Sequence, residues 1–180
     1  MYTCLLYTIL TDAVGSITLK SLRGAKEADF MDSFALNVVG AAEAIKATLP
    51  GLKKGGADAN TPASIVLFSS VAARHGLANH AVIGASKAGV EGLVVSLAAE
   101  LAPVVRVNAV ALSLTEGAAM AKSMTDNATM AEAIAKAHPL PRLGTPDDSA
   151  LAAAYLLSSQ SAWTTGTILP VDGGRSTVLK

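Results

Sequence analysis

Short apolar stretches alternate along the chain with longer segments of helical periodicity, and this alternation restricts the possible folds more than any other feature. A continuous apolar run, typical of a strand buried on both faces, lies at residues 4–10, and further mainly apolar strand candidates lie at residues 64–69, 104–111 and 167–171. The helical segments between them provide the crossovers that parallel strands require. The sequence therefore predicts an α/β fold with a parallel sheet and helices on both faces.

The first two helical segments are predicted from periodicity and from prolines. Between residues 27 and 49 the apolar side chains recur in steps of three and four, and Pro50 predicts the end of that helix. A long helix rich in Ala and Gly is predicted over residues 81–101, and Pro103, two residues later, predicts its end.

The C-terminal third of the chain has one weak helical segment and one strong one. Residues 118–137 predict a helix of weak periodicity. Thr145-Pro146-Asp147-Asp148 is a strong helix start, with Thr as the cap, Pro at the first helical position and an acid three residues after the cap. We expect that helix to run to about Ser158, and we interpret residues 1–180 as a single domain without internal repeats.

Composition excludes several classes of function. Lys and Arg together number 14, as do Asp and Glu, so nothing predicts a nucleic-acid surface or an anionic-membrane surface. Cys4 is the only cysteine, which fits a reducing intracellular compartment, although the sequence does not identify which one. Residues 1–10 lack the basic residues of a secretory signal. Residues 92–114, the longest apolar region, include Glu100 and Arg106, and we interpret them as helix plus strand rather than as a transmembrane segment.

Polar residues at the ends of these elements form an ordered set. Asn37 lies in Leu-Asn-Val-Val-Gly, Ser69 and Ser70 close a predicted strand, and Lys87 follows Ala-Ser. The C-terminal region reads Pro-Leu-Pro-Arg-Leu-Gly-Thr-Pro-Asp from residue 139, and Pro-Val-Asp-Gly-Gly from residue 170. In order and spacing this set resembles the short-chain dehydrogenase/reductase family, from its central strand to its C-terminus. The resemblance implies a Rossmann-type, three-layer sheet without the family's first β-α-β units.

The resemblance also implies roles for individual residues. The family uses a tyrosine as proton donor or acceptor, a lysine four positions later, a serine beside the substrate oxygen and an asparagine that holds a water. Asn37, Ser70 and Lys87 match that pattern. The tyrosine position is thirteen residues after Ser70 and four before Lys87, and both counts lead to Ile83. His80, one helical turn away, points elsewhere on the helix by its spacing.

The cofactor pattern departs from the family as well. No Gly-x-x-x-Gly-x-Gly turn precedes the first matched strand, so most contacts to the pyrophosphate of a dinucleotide are missing. A partial nicotinamide side remains at Gly15, Lys87 and Thr115. We therefore expect no bound cofactor, with NAD(P) as the cofactor if the missing half is supplied. The chain's three histidines share no metal-ligand spacing, so no metal site is expected.

Three interpretations of function remain open. The chain is a non-catalytic dehydrogenase-like subunit of a larger assembly, an NAD(P)-dependent oxidoreductase with altered proton chemistry, or a fragment of a longer active enzyme. Two contact surfaces with other protein chains are expected: helix 81–101, which suits a homodimer, and the bare edge of strand 4–10, which suits a second kind of chain. We also interpret Trp163 as a packing residue near the sheet edge.

Overall fold

A computed structural model of the chain describes residues 9–12, 15–56, 62–117 and 122–178. The elements in chain order are β1 (Ile9–Asp12), α1 (Glu27–Phe34), a π-helical segment (Ala35–Val39), α2 (Gly40–Gly55), β2 (Ala63–Ser70), α3 (Ala81–Leu101), β3 (Val105–Leu112), α4 (Lys122–Thr125), α5 (Ala128–Lys136), α6 (Pro146–Leu157) and β4 (Ile168–Val171). Short 3-10 turns follow β2 at Val71–Ala73 and α6 at Ser159–Ser161.

The four described strands form one parallel sheet in the order β1-β2-β3-β4. Leu10 pairs with Ile65, and all eight residues of β2 pair with the eight of β3. On the other side of β3, Ala109 pairs with Ile168. Spatial order follows chain order because helical connections bring each new strand back parallel to the last. The sheet confirms the predicted α/β class.

Helices cover both faces of this sheet. On one face, buried side chains of α2 and α3 pack against alternate residues of the two central strands. The helices contribute Ile45, Val90 and Val94, and the strands contribute Ile65 and Leu67 from β2 and Val107 and Ala109 from β3. On the opposite face, α6 packs Ala153 and Leu156 against Val66 and Val110. The alternation of strand side chains between the two clusters follows the two-residue period of a β-strand. The three-layer prediction is therefore confirmed.

Helix α3 is long and predominantly apolar. It is the one element of the described ranges that is long and apolar enough to cross a membrane by length and composition alone. In this fold Val90, Val94 and Ala98 lie in the core against the sheet. A buried core helix meets the same criterion of length and hydropathy, so the criterion does not by itself indicate a membrane span.

Pro50 does not end the second helix, contrary to the prediction from sequence. Helix α2 continues through Pro50 to Gly55. The segment after the proline carries Leu52, whose side chain is 1% exposed and belongs to the core beneath α2 and α3. The Thr48 hydroxyl also donates to the carbonyls of Ala44 and Ile45. Burial of Leu52 thus offsets the cost of a proline inside the helix.

Two further boundaries and one side chain differ from expectation. The strand predicted at residues 4–10 is a strand at Ile9–Asp12 in the described part, and residues 4–8 lie outside it. The single helix expected over residues 118–137 is two short helices, the second capped by the Asn127 side chain. Trp163 is fully exposed, so its interpretation as a packing residue was wrong.

The predicted start of α6 is confirmed in detail. The Thr145 hydroxyl accepts from the Asp148 amide, and the Asp148 carboxylate accepts from the Thr145 amide. The reciprocal pair satisfies two amides that a helix start leaves without intrahelical partners. Arg142 adds two hydrogen bonds to the same carboxylate, at 2.6 and 2.9 Å, which holds the pKa of Asp148 well below its usual range.

Candidate functional site

Three of the residues singled out in the sequence meet near the carboxyl ends of β1 and β2. Gly15 lies just after β1, Asn37 lies in the π-helical segment, and Lys87 lies on α3. A Cβ atom placed on Gly15 would lie 2.8 Å from Asn37 Oδ1 and 3.4 Å from Lys87 Nζ. A larger residue at position 15 would therefore press on the Asn37 side chain and contact that of Lys87. We call Gly15, Asn37 and Lys87 the inherited cluster.

Asn37 is held from one side only. Its amide nitrogen donates to the Ser33 carbonyl at 2.8 Å, and the residue is 2% exposed. Its Oδ1 is buried without a hydrogen-bond partner among the described residues. A π-helical turn inserts an extra residue into an α-helix, and such turns are frequent at functional sites. Here the turn places an amide oxygen with unused acceptor capacity beside Gly15.

Lys87 extends from α3 toward the strand ends. Its ammonium donates to the Phe68 carbonyl at 2.8 Å, two residues before the end of β2. Burial lowers the pKa of this ammonium, and the charge of Asp12 at the end of β1 partly opposes that shift. An ammonium has three donors, so the bond to Phe68 leaves capacity for further partners. The Lys87 ammonium is thus a donor with remaining capacity near the carboxyl end of β2.

The lowered pKa of Lys87 predicts a pH-dependent contribution to stability. The folded chain releases this proton at a lower pH than the unfolded chain does, so above the folded pKa the stability rises with pH, by at most about 1.4 kcal/mol per pH unit. We expect the unfolding free energy of the wild type, minus that of Lys87→Met, to increase from neutral pH toward about pH 10. Urea unfolding of both proteins at stepped pH measures this difference. A difference that stays flat or falls over that range contradicts the prediction.

Ser70 and Ile83 complete the positions carried over from the family. Ser70 is the last residue of β2, and its hydroxyl accepts from the Ala72 amide at 3.2 Å as the cap of a 3-10 turn. Ile83 lies one helical turn before Lys87 on α3 and is 2% exposed. Its carbonyl accepts from the Ser86 hydroxyl, which also bonds to Ser33. An aliphatic side chain therefore fills the position that the resemblance assigns to the proton donor.

Thr115 stands apart from the inherited cluster. Its hydroxyl donates to the Ser113 carbonyl at 3.2 Å, and its backbone bridges to Gly144 in the loop before α6. These contacts give it a structural role in joining two loops. Of the cofactor positions expected from sequence, the structure brings Gly15 and Lys87 together, and no hydrogen bond of Thr115 reaches either of them.

The structure also places polar residues that the sequence reading did not single out. Glu91 is buried on α3, accepts from the Ser69 hydroxyl at 2.8 Å and forms an ion pair with Arg74. Asp12 lies close enough to Lys87 to influence its pKa. Glu91 is one helical turn after Lys87, and an acid four residues after a candidate lysine is a signal that the sequence does contain.

The comparisons with known proteins agree on the family. A family model described as enoyl-(acyl carrier protein) reductase matches residues 8–176. The chain is 31% identical over 176 residues to 2-keto-3-deoxy-L-fuconate dehydrogenase of Xanthomonas campestris, an alignment covering 94% of this chain and 57% of that protein. The chain belongs to the short-chain dehydrogenase/reductase family. It spans little more than half the length of this relative.

Two further relatives of the short-chain dehydrogenase/reductase family are informative. The inactive 2-(S)-hydroxypropyl-CoM dehydrogenase 2 of Xanthobacter autotrophicus is 36% identical over 148 residues, which cover 80% of this chain and 62% of that protein. The structure of ElxO with NADP bound is similar with a TM-score of 0.85 at 26% identity, covering 94% of this chain and 67% of that chain. Family membership and the family fold are thus established independently of the candidate site.

The tyrosines of this family member do not compensate for Ile83 within the described residues. Tyr155 lies on α6, across the sheet from α3. Tyr2 and Tyr7 lie outside the described residues. The ring of His80, at the start of α3, bonds through Nδ1 to the Ala78 carbonyl at 2.7 Å. One nitrogen of the His80 ring is therefore hydrogen-bonded to the loop before α3.

Proposed function

We propose that this chain is a non-catalytic member of its family, acting as a structural or accessory subunit of a larger assembly. The observation that carries the proposal is Ile83, which is buried one helical turn before Lys87. A hydrocarbon side chain neither donates nor accepts a proton. General acid–base catalysis by a positioned side chain is typically worth about 10²–10⁴-fold in rate. A relative described as inactive, at 36% identity, shows that a close sequence can lack the activity of its group.

The inherited cluster fits one end of the family's cofactor. ElxO binds NADP, and NAD(P) would supply the hydride in an active member. In this chain the Lys87 ammonium and the unpartnered Asn37 Oδ1 lie beside a glycine that leaves them room, a setting suited to ribose hydroxyls. The 180 residues contain no Gly-x-x-x-Gly-x-Gly turn for the pyrophosphate. The residues present therefore suit weak binding at the nicotinamide ribose alone.

A second candidate function rests on the same cluster. Lys87, Asn37 and Gly15 are retained in contact, which favours an NAD(P)-dependent oxidoreductase with an atypical active site, or a part of a longer active enzyme. In either case the adenosine and pyrophosphate contacts come from outside these 180 residues. The two candidates differ in one measurable property, which is cofactor-dependent turnover.

The discriminating experiment is a calorimetric titration of the purified 180-residue chain with NADH and with NADPH, paired with turnover assays on a panel of alcohols and ketones. We expect no micromolar binding and no turnover for the wild type or for Ile83→Tyr. The tyrosine would restore a proton donor, but reaction also requires the dinucleotide to be held in attack geometry. Ile83→Val is the matched control for disturbance of the buried site, and circular dichroism checks that each variant is folded.

Cofactor-dependent turnover by the wild type would refute the non-catalytic proposal and support the second candidate. Micromolar binding by the wild type, or turnover by Ile83→Tyr alone, would show instead that these residues hold the dinucleotide better than the missing glycine-rich turn implies. Light scattering on the same preparation tests the subunit role. We expect self-association through α3, whose Val95 is exposed, or through the β1 edge, where the described strand pairs only with β2. A stable monomer at micromolar concentration would contradict that part of the proposal.

A further inference from the structure

A cavity of about 280 Å³ lies at the carboxyl ends of β3 and β4, apart from the inherited cluster. Three loops form its walls: the segment after β3, the segment between α5 and α6, and the segment after β4. Its polar lining includes Ser113, His138 and Asp172, one from each loop. Leu114, Leu140 and Pro170 provide apolar walls. This cavity therefore brings a hydroxyl, an imidazole and a carboxylate together at one opening.

The hydrogen bonds of His138 fix its tautomer. Its Nδ1 lies 2.7 Å from the Ile134 carbonyl oxygen, which can only accept. In the neutral ring Nδ1 must therefore carry the hydrogen, and Nε2 presents a lone pair. The Ser113 hydroxyl lies 2.8 Å from Nε2, so it donates its hydrogen there. This is the arrangement in which a histidine can take the proton of a serine.

Asp172 places a negative charge near the same ring. The carboxylate is buried and accepts hydrogen bonds from Gly174 and from Ser176. Burial raises the pKa of Asp172, but the bonds from Ser176 and Gly174 outweigh burial and lower the pKa overall, and the carboxylate lies close enough to His138 to interact with it electrostatically. The carboxylate is therefore ionised at neutral pH. An ionised carboxylate near an imidazole stabilises the cation that forms when the imidazole takes a proton.

The surrounding backbone holds the imidazole in place. His138 is 1% exposed, and a Cβ on Gly173 would lie 3.5 Å from its Cβ and Cδ2 atoms. Gly173 has a φ of 61°, a conformation that favours glycine, and its carbonyl accepts from the Leu140 amide. Ser113, by contrast, is only partly buried and lines the cavity. The base is thus fixed, and Ser113 is the more accessible member of the pair at the cavity wall, as a nucleophile must be.

We infer that Ser113 and His138 form a nucleophile–base pair and that this cavity hydrolyses small uncharged acyl esters. Ser113 Oγ bonds to the ester carbonyl carbon as its proton passes to His138 Nε2. That proton then passes to the departing alkoxide as the ester C–O bond breaks. Water, deprotonated by the same nitrogen, cleaves the acyl-serine, which releases the carboxylic acid and restores the Ser113 hydroxyl. The reaction needs water and no dinucleotide, so it is independent of Ile83.

The charge at the cavity rim indicates the substrate class. Arg142 lines the cavity, but both of its terminal nitrogens donate to the Asp148 carboxylate. The cation is therefore neutralised by its own neighbour and gives no preference for an anionic substrate. The apolar walls and the modest volume suit a short acyl chain.

The test uses the folded 180-residue chain, a fluorophosphonate that labels activated serines, and p-nitrophenyl acetate as substrate. We expect one label per chain, located at Ser113 by peptide mass spectrometry, and ester hydrolysis above the protein-free rate. Ser113→Ala should abolish both, and His138→Gln should slow both by about 10²-fold or more. Ser149→Ala is the matched control, because within the described part of the chain the Ser149 hydroxyl bonds only to the Pro146 carbonyl of its own helix, and it should leave both rates unchanged.

Absence of label, labelling at another residue, or hydrolysis by Ser113→Ala at the wild-type rate would overturn the proposal. His138 is buried, so His138→Gln is compared with the wild type by circular dichroism. If that variant does not fold, the labelling site and the Ser113→Ala rate decide the question. Because the assay contains no dinucleotide, either outcome leaves unaffected the proposal that this chain lacks the oxidoreductase activity of its family.

Discussion

Replacing Arg106 by Ala is expected to lower the free energy of unfolding by about 3–5 kcal/mol. Arg106 lies on β3, is 5% exposed, and donates to the carbonyls of Leu156, Ser158 and Thr164 and to the Ser161 hydroxyl. Two of those carbonyls lie at the end of α6, where the helix dipole favours a cation. Removing the guanidinium leaves the acceptors with fewer donors in a buried setting and opens a void between the sheet and α6.

Urea or thermal unfolding of Arg106→Ala measures this loss. Arg142→Ala is the matched control, because it removes the same side chain from an exposed ion pair with Asp148, where solvent screens the interaction. We expect the control to lose only a small fraction of the stability lost by Arg106→Ala. Equal losses in the two variants would show that the buried guanidinium does not anchor α6 to the sheet.

Gly56→Ala is expected to cost about 3 kcal/mol or more, because a methyl group cannot fit where this chain turns from α2 toward β2. A Cβ on Gly56 would lie 2.2 Å from the Val104 carbonyl oxygen and 2.6 Å from the Ala63 amide nitrogen. Those two atoms form the hydrogen bond that joins the start of β2 to the segment before β3. The added carbon would enter that bond, and the neighbours are backbone atoms that cannot rotate away.

The control for Gly56→Ala is a glycine with open space around it. A Cβ on Gly92, inside α3, meets nothing within 4 Å. Gly92→Ala should therefore raise stability by about 0.5–1 kcal/mol, since alanine loses less backbone entropy in a helix. Chemical denaturation measures the change in unfolding free energy for both variants. We expect a decrease for Gly56→Ala and an increase for Gly92→Ala. A loss below about 1 kcal/mol for Gly56→Ala would contradict the steric argument.

Local patterns predicted the parts of the fold that local chemistry determines. The capping box at Thr145 and Asp148 involves residues three apart, and its geometry is confirmed. The buried strands were visible as apolar runs, and β2 and β3 fall within one residue of their predicted bounds. Helix α2 was predicted too short because the burial of Leu52, a tertiary effect, outweighs the local penalty of Pro50. Propensity is informative where packing does not override it.

The candidate site was only partly predictable for the same reason. Family spacing led to Asn37, Ser70, Lys87 and Ile83, and the structure brings Asn37 and Lys87 together around Gly15. The Ser113–His138 pair was missed because its residues are 25 apart in sequence. The tautomer of His138 depends on the Ile134 backbone carbonyl, and a sequence pattern does not predict that contact. Ser113 and His138 lie in different loops, and those loops come together only when the strands of the sheet are assembled.

The π-helical segment changes the direction in which side chains face between α1 and α2, which form one continuous helix. Ser33, before this segment, faces α3, whereas Ala41 and Ile45, after it, face the core under the sheet. Deleting one residue from Ala35–Val39 would rotate α2 by about 100° and turn that apolar face outward. A deletion there is selected against by folding alone, while a single-codon change at position 83 alters one side chain. Folding alone therefore constrains the setting of Asn37, whether or not the residue takes part in a reaction.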